Sequence, residues 1–218
     1  MRVRAGLALI LTLVILPSLE PMPLVDPLSL DGVLITFQQF MIGVAMGFFV
    51  VMAFNAVTMA GEAIAITMGL GFALMNDPQN GAQVPMLSQF YLVLAMLLFL
   101  ALDGHHAVLM LLNSSFVLLP VGAPLSADAL WILLRWGGTM FFGSLAIALP
   151  ALAAMLTVNI IMGIITRAAP QLNIFSVGFP ITMTVGFFAI MLTLTTFQIS
   201  FESLINMAHA AIVQFLQI

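Results

Sequence analysis

The sequence contains no cysteine and no lysine. Without cysteine there are no disulfides, no thiolate metal sites and no cysteine nucleophile. Its four basic residues are Arg2, Arg4, Arg135 and Arg167, set against eight acidic ones for a formal charge of −4. No basic stripe for nucleic acid and no polybasic anchor for anionic lipid can be built from so few. Three histidines, His105, His106 and His209, are too few and too scattered to make a metal cage. A phosphate-binding G-x-x-x-x-G-K-[ST] motif is also missing, which excludes a P-loop ATPase. Ser144 follows Gly143 but lies in no G-x-S-x-G context, so neither a nucleophile–base pair nor a cofactor site can be assembled.

What remains is apolar. Hydrophobic residues make up 63% of the 218 positions and charged residues 6%, against roughly 45–50% and 25% in a soluble domain. The excess lies in long runs, as in a chain whose solvent is lipid. No run shows the strict alternation of a membrane barrel. The fold class is therefore all-α membrane protein, in one domain over 1–218. Arg2 and Arg4 precede an apolar stretch that mimics a secretory signal, but no small-residue cleavage site follows. A retained short helix and a proline-rich loop are expected there. Turn-forming and charged residues divide the rest into helical stretches near 3–17, 32–60, 61–75, 86–102, 105–119 and 127–166, with a seventh from about 174 onward. A tight polar turn is expected at Asp103-Gly104-His105-His106, and a kink at Leu149–Pro150.

Ionisable groups inside apolar sequence cost about 2.5–3.5 kcal/mol on insertion scales, so each needs a reason. Glu62, within Ala60-Gly61-Glu62-Ala63, must pair, face a water-filled lumen or take up a proton. Arg135 and Arg167 sit near run ends, where long basic side chains snorkel, and Arg167 can also neutralise a helix C-terminus. His105 and His106, about 100° apart on a helix, read as wet turn histidines. Gly43 and Gly47 form a G-x-x-x-G pair that lets another helix backbone come close.

The segment from Met68 to Pro85 changes character halfway. Gly69 and Gly71 alternate with Met68, Leu70, Phe72 and Met75, and then Asn76-Asp77-Pro78-Gln79-Asn80-Gly81 reads as turn. Two readings stay open from the residues alone: an ordinary interhelix loop, or a deformable hydrophobic constriction, since methionine adapts to irregular space.

Read together, Arg167-Ala-Ala-Pro-Gln-Leu-Asn-Ile-Phe-Ser-Val-Gly-Phe-Pro180, Ala60-Gly61-Glu62, Met68-Gly-Leu-Gly-Phe72, Asp77-Pro78-Gln79, Asp103-Gly104-His105 and Leu119-Pro120-Val121-Gly122 resemble the FliR/SctT family of type III secretion export-gate subunits. Family members usually carry about forty residues before the stretch seen here at Arg2–Arg4. The resemblance implies long, kinked helical hairpins in a fusion of FliP-like (about 1–125) and FliQ-like (about 126–218) folds. It implies no cofactor and no catalysis, with FliP-like, FliQ-like and FlhB-like subunits as partners and unfolded flagellar proteins as cargo. The assembly is expected in the bacterial inner membrane at the flagellar basal body, with a core raised toward the periplasm. Carried onto this sequence, Met68, Gly69, Leu70, Gly71, Phe72, Met75, Asp77, Pro78 and Gln79 match the family's pore plug. Glu62, Arg167, Gln171 and Asn173 are expected as intersubunit or buried polar residues. The wording of Asn173–Pro180 favours the flagellar over the virulence system. A self-contained small-solute transporter or channel is the alternative.

Overall fold

The computed structural model describes residues 2–19, 25–70, 86–169 and 177–217. Among them there are six α-helices and no strand. They are α1 (Arg2–Ile15), α2 (Leu30–Thr67), α3 (Met86–Ala101), α4 (Gly104–Leu118), α5 (Ala127–Ala168) and α6 (Phe179–Gln217), with a short 3₁₀ turn at Leu16–Ser18 after α1. The all-helical membrane class expected from composition holds, because lipid leaves each backbone amide to find its partner within its own segment.

The division at residue 60 does not hold. The stretch expected at 32–60 and the described part of that at 61–75 share a single helix ending at Thr67, and residues 71–75 lie outside the described residues. Gly61 does not break it; a side chain there would meet Ser88 Cα at 2.8 Å and the Leu87 carbonyl oxygen at 3.1 Å. This glycine serves a close crossing with α3, where small Ser88 is equally buried. Helix α5 is continuous through Pro150.

Helices α2, α5 and α6 contain 38, 42 and 39 residues and are apolar enough to cross a membrane. At about 1.5 Å rise per residue they are roughly 57–63 Å long, about twice a ~30 Å hydrocarbon core. A fourth span is counted if the bent pair α3 and α4 is taken as one. In the most apolar windows of α2, α5 and α6 only 39%, 28% and 17% of residues are buried within the chain.

The residues group into two compact units, 1–49 with 103–136 and 208–218, and 50–102 with 137–207. In the first unit the core gathers on Phe49, whose ring lies 5.7 Å from both Trp136 and Phe215. The indole N–H of Trp136 donates to the Phe49 carbonyl at 3.0 Å. Replacing Trp136 by Phe keeps the ring contact and removes that bond, at an expected cost of about 0.5–1.5 kcal/mol, readable as a lower unfolding temperature in detergent.

The second unit is built on a buried stripe along α2, Ala53, Ala56, Val57, Ala60, Ile64 and Met68, at the i, i+3, i+4 spacing that keeps one face inward. Its small members let neighbouring helices come close. A side chain at Gly143 of α5 would meet Leu204 of α6 at 2.9 Å and Ala56 at 3.7 Å. An aromatic row, Phe99–Phe54–Phe201–Phe197–Tyr91, joins α2, α3 and α6, with centroids 5.2–6.0 Å apart.

Candidate functional site

The site singled out by sequence begins where α2 ends. Gly69 adopts a left-handed φ of 83°, a conformation that costs a side chain but not glycine. Its N–H bonds to the Ile66 carbonyl at 3.0 Å, and that of Leu70 reaches back to the Ala65 carbonyl at 3.0 Å. This is the glycine C-cap in which a six-residue loop closes over the last turn. Met68, just before it, is fully buried. Of the residues matched to the plug, Met68, Gly69 and Leu70 thus form the root of the segment. Gly71, Phe72, Met75, Asp77, Pro78 and Gln79 lie outside the described residues, as do Gln171 and Asn173.

Seven residues before the cap glycine, Glu62 is exposed on α2. It has neither an ion pair nor a hydrogen bond among the described residues; the single ion pair found there is His106 with Asp103. Arg167 occupies the last turn of α5 and is also exposed. Neither side chain is buried within this chain. The reason is geometric: both fall on outward faces of helices whose inward faces are filled by alanine, methionine and isoleucine. Gly43 and Gly47 are open as well, with nothing within 4 Å of a built Cβ. The glycines of the second unit that do meet a neighbour are Gly61, Gly143 and Gly186.

Sequence reasoning missed Asn159, Thr182 and Gly186. Asn159 Nδ2 donates to the Thr67 carbonyl at 3.3 Å. The Thr182 hydroxyl faces the Met68 carbonyl at 3.4 Å. Gly186 lies directly under the Met68 side chain. An asparagine in a membrane helix and the i, i+4 spacing of Thr182 and Gly186 were the available signals, but nothing local names their partner.

At the Asp103 turn, φ is 55° and α4 starts at the next residue. The histidine rings do not face apart as helix spacing implied. Their centroids are 4.0 Å apart. His106 Nδ1 pairs with Asp103 Oδ1 at 3.1 Å. His106 is exposed as expected of a turn histidine, whereas His105 is half-buried with its Nδ1 unpartnered among the described residues. Side-chain ligand atoms of Asp103, His105 and His106 fall within 4.8 Å of one another.

The first unit holds a cavity of about 350 Å³ lined by Phe37, Met41, Phe48, Leu130 and other apolar side chains. Its one polar lining residue, Gln38, already donates to the Ala123 carbonyl. Solute pockets converge several free polar groups on the ligand, and this one presents none among the described residues.

Known proteins give the geometry its context. A flagellar biosynthetic protein FliR of Pectobacterium carotovorum subsp. carotovorum is 44% identical across 85% of this chain and 71% of its own length. Its namesake in Escherichia coli strain K12 is 42% identical with the same coverage. The FliR of Bacillus subtilis strain 168 is 30% identical over 84% of this chain and 72% of its own. Residues 1–208 match the family described as bacterial export proteins, family 1, and the chain belongs to that family.

Proposed function

We infer that this chain is a core pore subunit of the flagellar type III protein-export gate, helping to form and seal the channel through which unfolded flagellar proteins cross the inner membrane. The observation that carries this reading is the mismatch between three very long apolar helices and their slight burial within the chain. A lone subunit crossing lipid needs about 20 apolar residues per helix. Helices of twice that length with open glycine faces fit an assembly in which neighbouring subunits supply the missing contacts. The relatives named FliR direct the reading to flagellar export.

In this reading FliP-like, FliQ-like and FlhB-like subunits are the partners. Residues 1–125 take the FliP-like part and 126–218 the FliQ-like part, at the flagellar basal body with the core raised toward the periplasm. The segment from Met68 through Gln79 seals the closed pore. Gly43 and Gly47 seat a partner helix, and Arg167, Gln171 and Asn173 contact neighbouring subunits. No catalytic step is assigned to the chain; energy comes from other components.

The test is the mass of the detergent-extracted complex, with this chain expressed alone and with those partners. A defined hetero-oligomer formed only with them is the expected result. A stable monomer or homo-oligomer indifferent to them would support the solute-transporter reading instead, against which the cavity's lack of free polar groups already speaks.

Glu62 supplies a second test. An exposed carboxylate on an apolar helix, at about 2.5–3.5 kcal/mol on insertion scales, is explained by a polar partner on a neighbouring subunit. Glu62→Gln is expected to lower the yield of assembled complex, and export with it, about tenfold or more, the size of a lost charge-assisted hydrogen bond. Normal assembly and export in that variant would remove the intersubunit role.

A further inference from the structure

The end of α2 can be accounted for bond by bond. The Met68 N–H goes to the Ile64 carbonyl at 3.0 Å, and the glycine cap uses the carbonyls of Ala65 and Ile66. Among the described residues, the carbonyls of Thr67 and Met68 receive no N–H from α2 or its cap. A helix end in water would hydrate them; at membrane depth each must be met by protein.

Both are met from the far half of the chain. Asn159 of α5 donates its amide N–H to Thr67 across 92 positions of sequence. Thr182 of α6 shares its single hydroxyl proton between the Met68 carbonyl at 3.4 Å and that of Phe179 at 3.0 Å. A third contact sits one turn on from Thr182, on the same face. A side chain at Gly186 would stand 2.6 Å from Met68 Cγ and Cε and 2.8 Å from Sδ. A Cβ there would push the buried methionine out of its present position. Thr182 and Gly186 thus offer, side by side, a donor for the Met68 carbonyl and a notch for its side chain.

We propose that Asn159, Thr182 and Gly186 are positioning residues that latch the end of α2 to α5 and α6, and so fix the point from which the chain leaves α2. Its role in closing the pore rests on the reading of the following segment as the seal. Movement of α5 against α2 breaks the Asn159 contact, and movement of α6 breaks those of Thr182 and Gly186 together, because both of these fall on Met68.

The experiment uses the chain assembled with its partner subunits. Thr182→Val combined with Asn159→Leu removes both donors with little change of shape, and Gly186→Ala fills the notch. Amide hydrogen exchange at Met68, Gly69 and Leu70 is expected to quicken about threefold to tenfold in each, the size of one lost hydrogen bond, while exchange at Ala53–Ala60 stays unchanged. Thr182→Ser, which keeps the hydroxyl, restores slow exchange. Unaltered exchange at residues 68–70 in both variants overturns the latch.

Ion conductance is read on the same complexes beside a deletion of residues 71–81. A leaking deletion with tight latch variants overturns the latch's share in sealing. A tight deletion overturns the sealing reading itself and leaves the latch to be judged by exchange alone.

Discussion

Membranes holding the assembled complex without residues 71–81 are expected to pass a steady ion current, while the intact complex holds the background level. The deletion leaves the C-cap at Gly69 and Leu70 in place, so α2 still ends as it does now and the complex still forms. What it removes is Gly71, Phe72, Met75, Asp77, Pro78 and Gln79, the apolar and turn-forming residues that the family resemblance assigns to the plug. Pores close by hydrophobic constriction because a narrow apolar throat expels water, and a pore stripped of that throat fills and conducts. The check is planar-bilayer or vesicle conductance on complexes of verified mass. An assembled deletion variant with background conductance would falsify the plug assignment.

The second large effect is expected at Gly61. Alanine in place of a mid-helix glycine ordinarily stabilises by about 0.5–1 kcal/mol, through the smaller entropy cost of ordering the backbone. Here the added carbon would lie 2.8 Å from Ser88 Cα and 3.1 Å from the Ser88 nitrogen and the Leu87 oxygen. All three are backbone atoms and cannot turn aside. Overpacking of that kind costs about 1–3 kcal/mol and outweighs the propensity gain, so Gly61→Ala lowers the unfolding temperature and Gly61→Val abolishes the folded chain. Gly47→Ala makes the contrast. Nothing within 4 Å opposes it in this chain, so the subunit alone is neutral or slightly stabilised, while complex yield with partner subunits falls if a helix seats on that face. Thermal unfolding of the subunit and mass of the complex, measured on both variants, separate the two glycines. An unchanged unfolding temperature for Gly61→Val would remove the close crossing of α2 and α3.

The sequence motif did not say which glycines pack inside this chain. G-x-x-x-G spacing picked out Gly43 and Gly47, which are open, and composition treated Gly61 as a break. Both are local signals, and a glycine looks the same to them whether it marks a bend, a dimer face or a notch. The glycine cap at residue 69 was not read either, since the apolar residues that follow Gly69 carried the expected stretch on to 75, and only the structure gives Gly69 its left-handed φ. Glu62 stood out against its surroundings, but its outward direction depends on which face of α2 the other helices cover.

By itself the sequence determined the solvent and the class of structure. Its scarcity of charge and its long apolar runs exclude a water-soluble surface, and lipid then leaves helices as the form that satisfies these backbones. Tertiary structure alone decided that Gly61 receives Ser88, that Gly186 receives Met68, and that Asn159 and Thr182 complete the last carbonyls of α2. Those partners lie from 27 to more than 100 positions apart, and no local preference of either residue encodes the other. They meet because close packing of helices brings one bare backbone and one helix end to the same place.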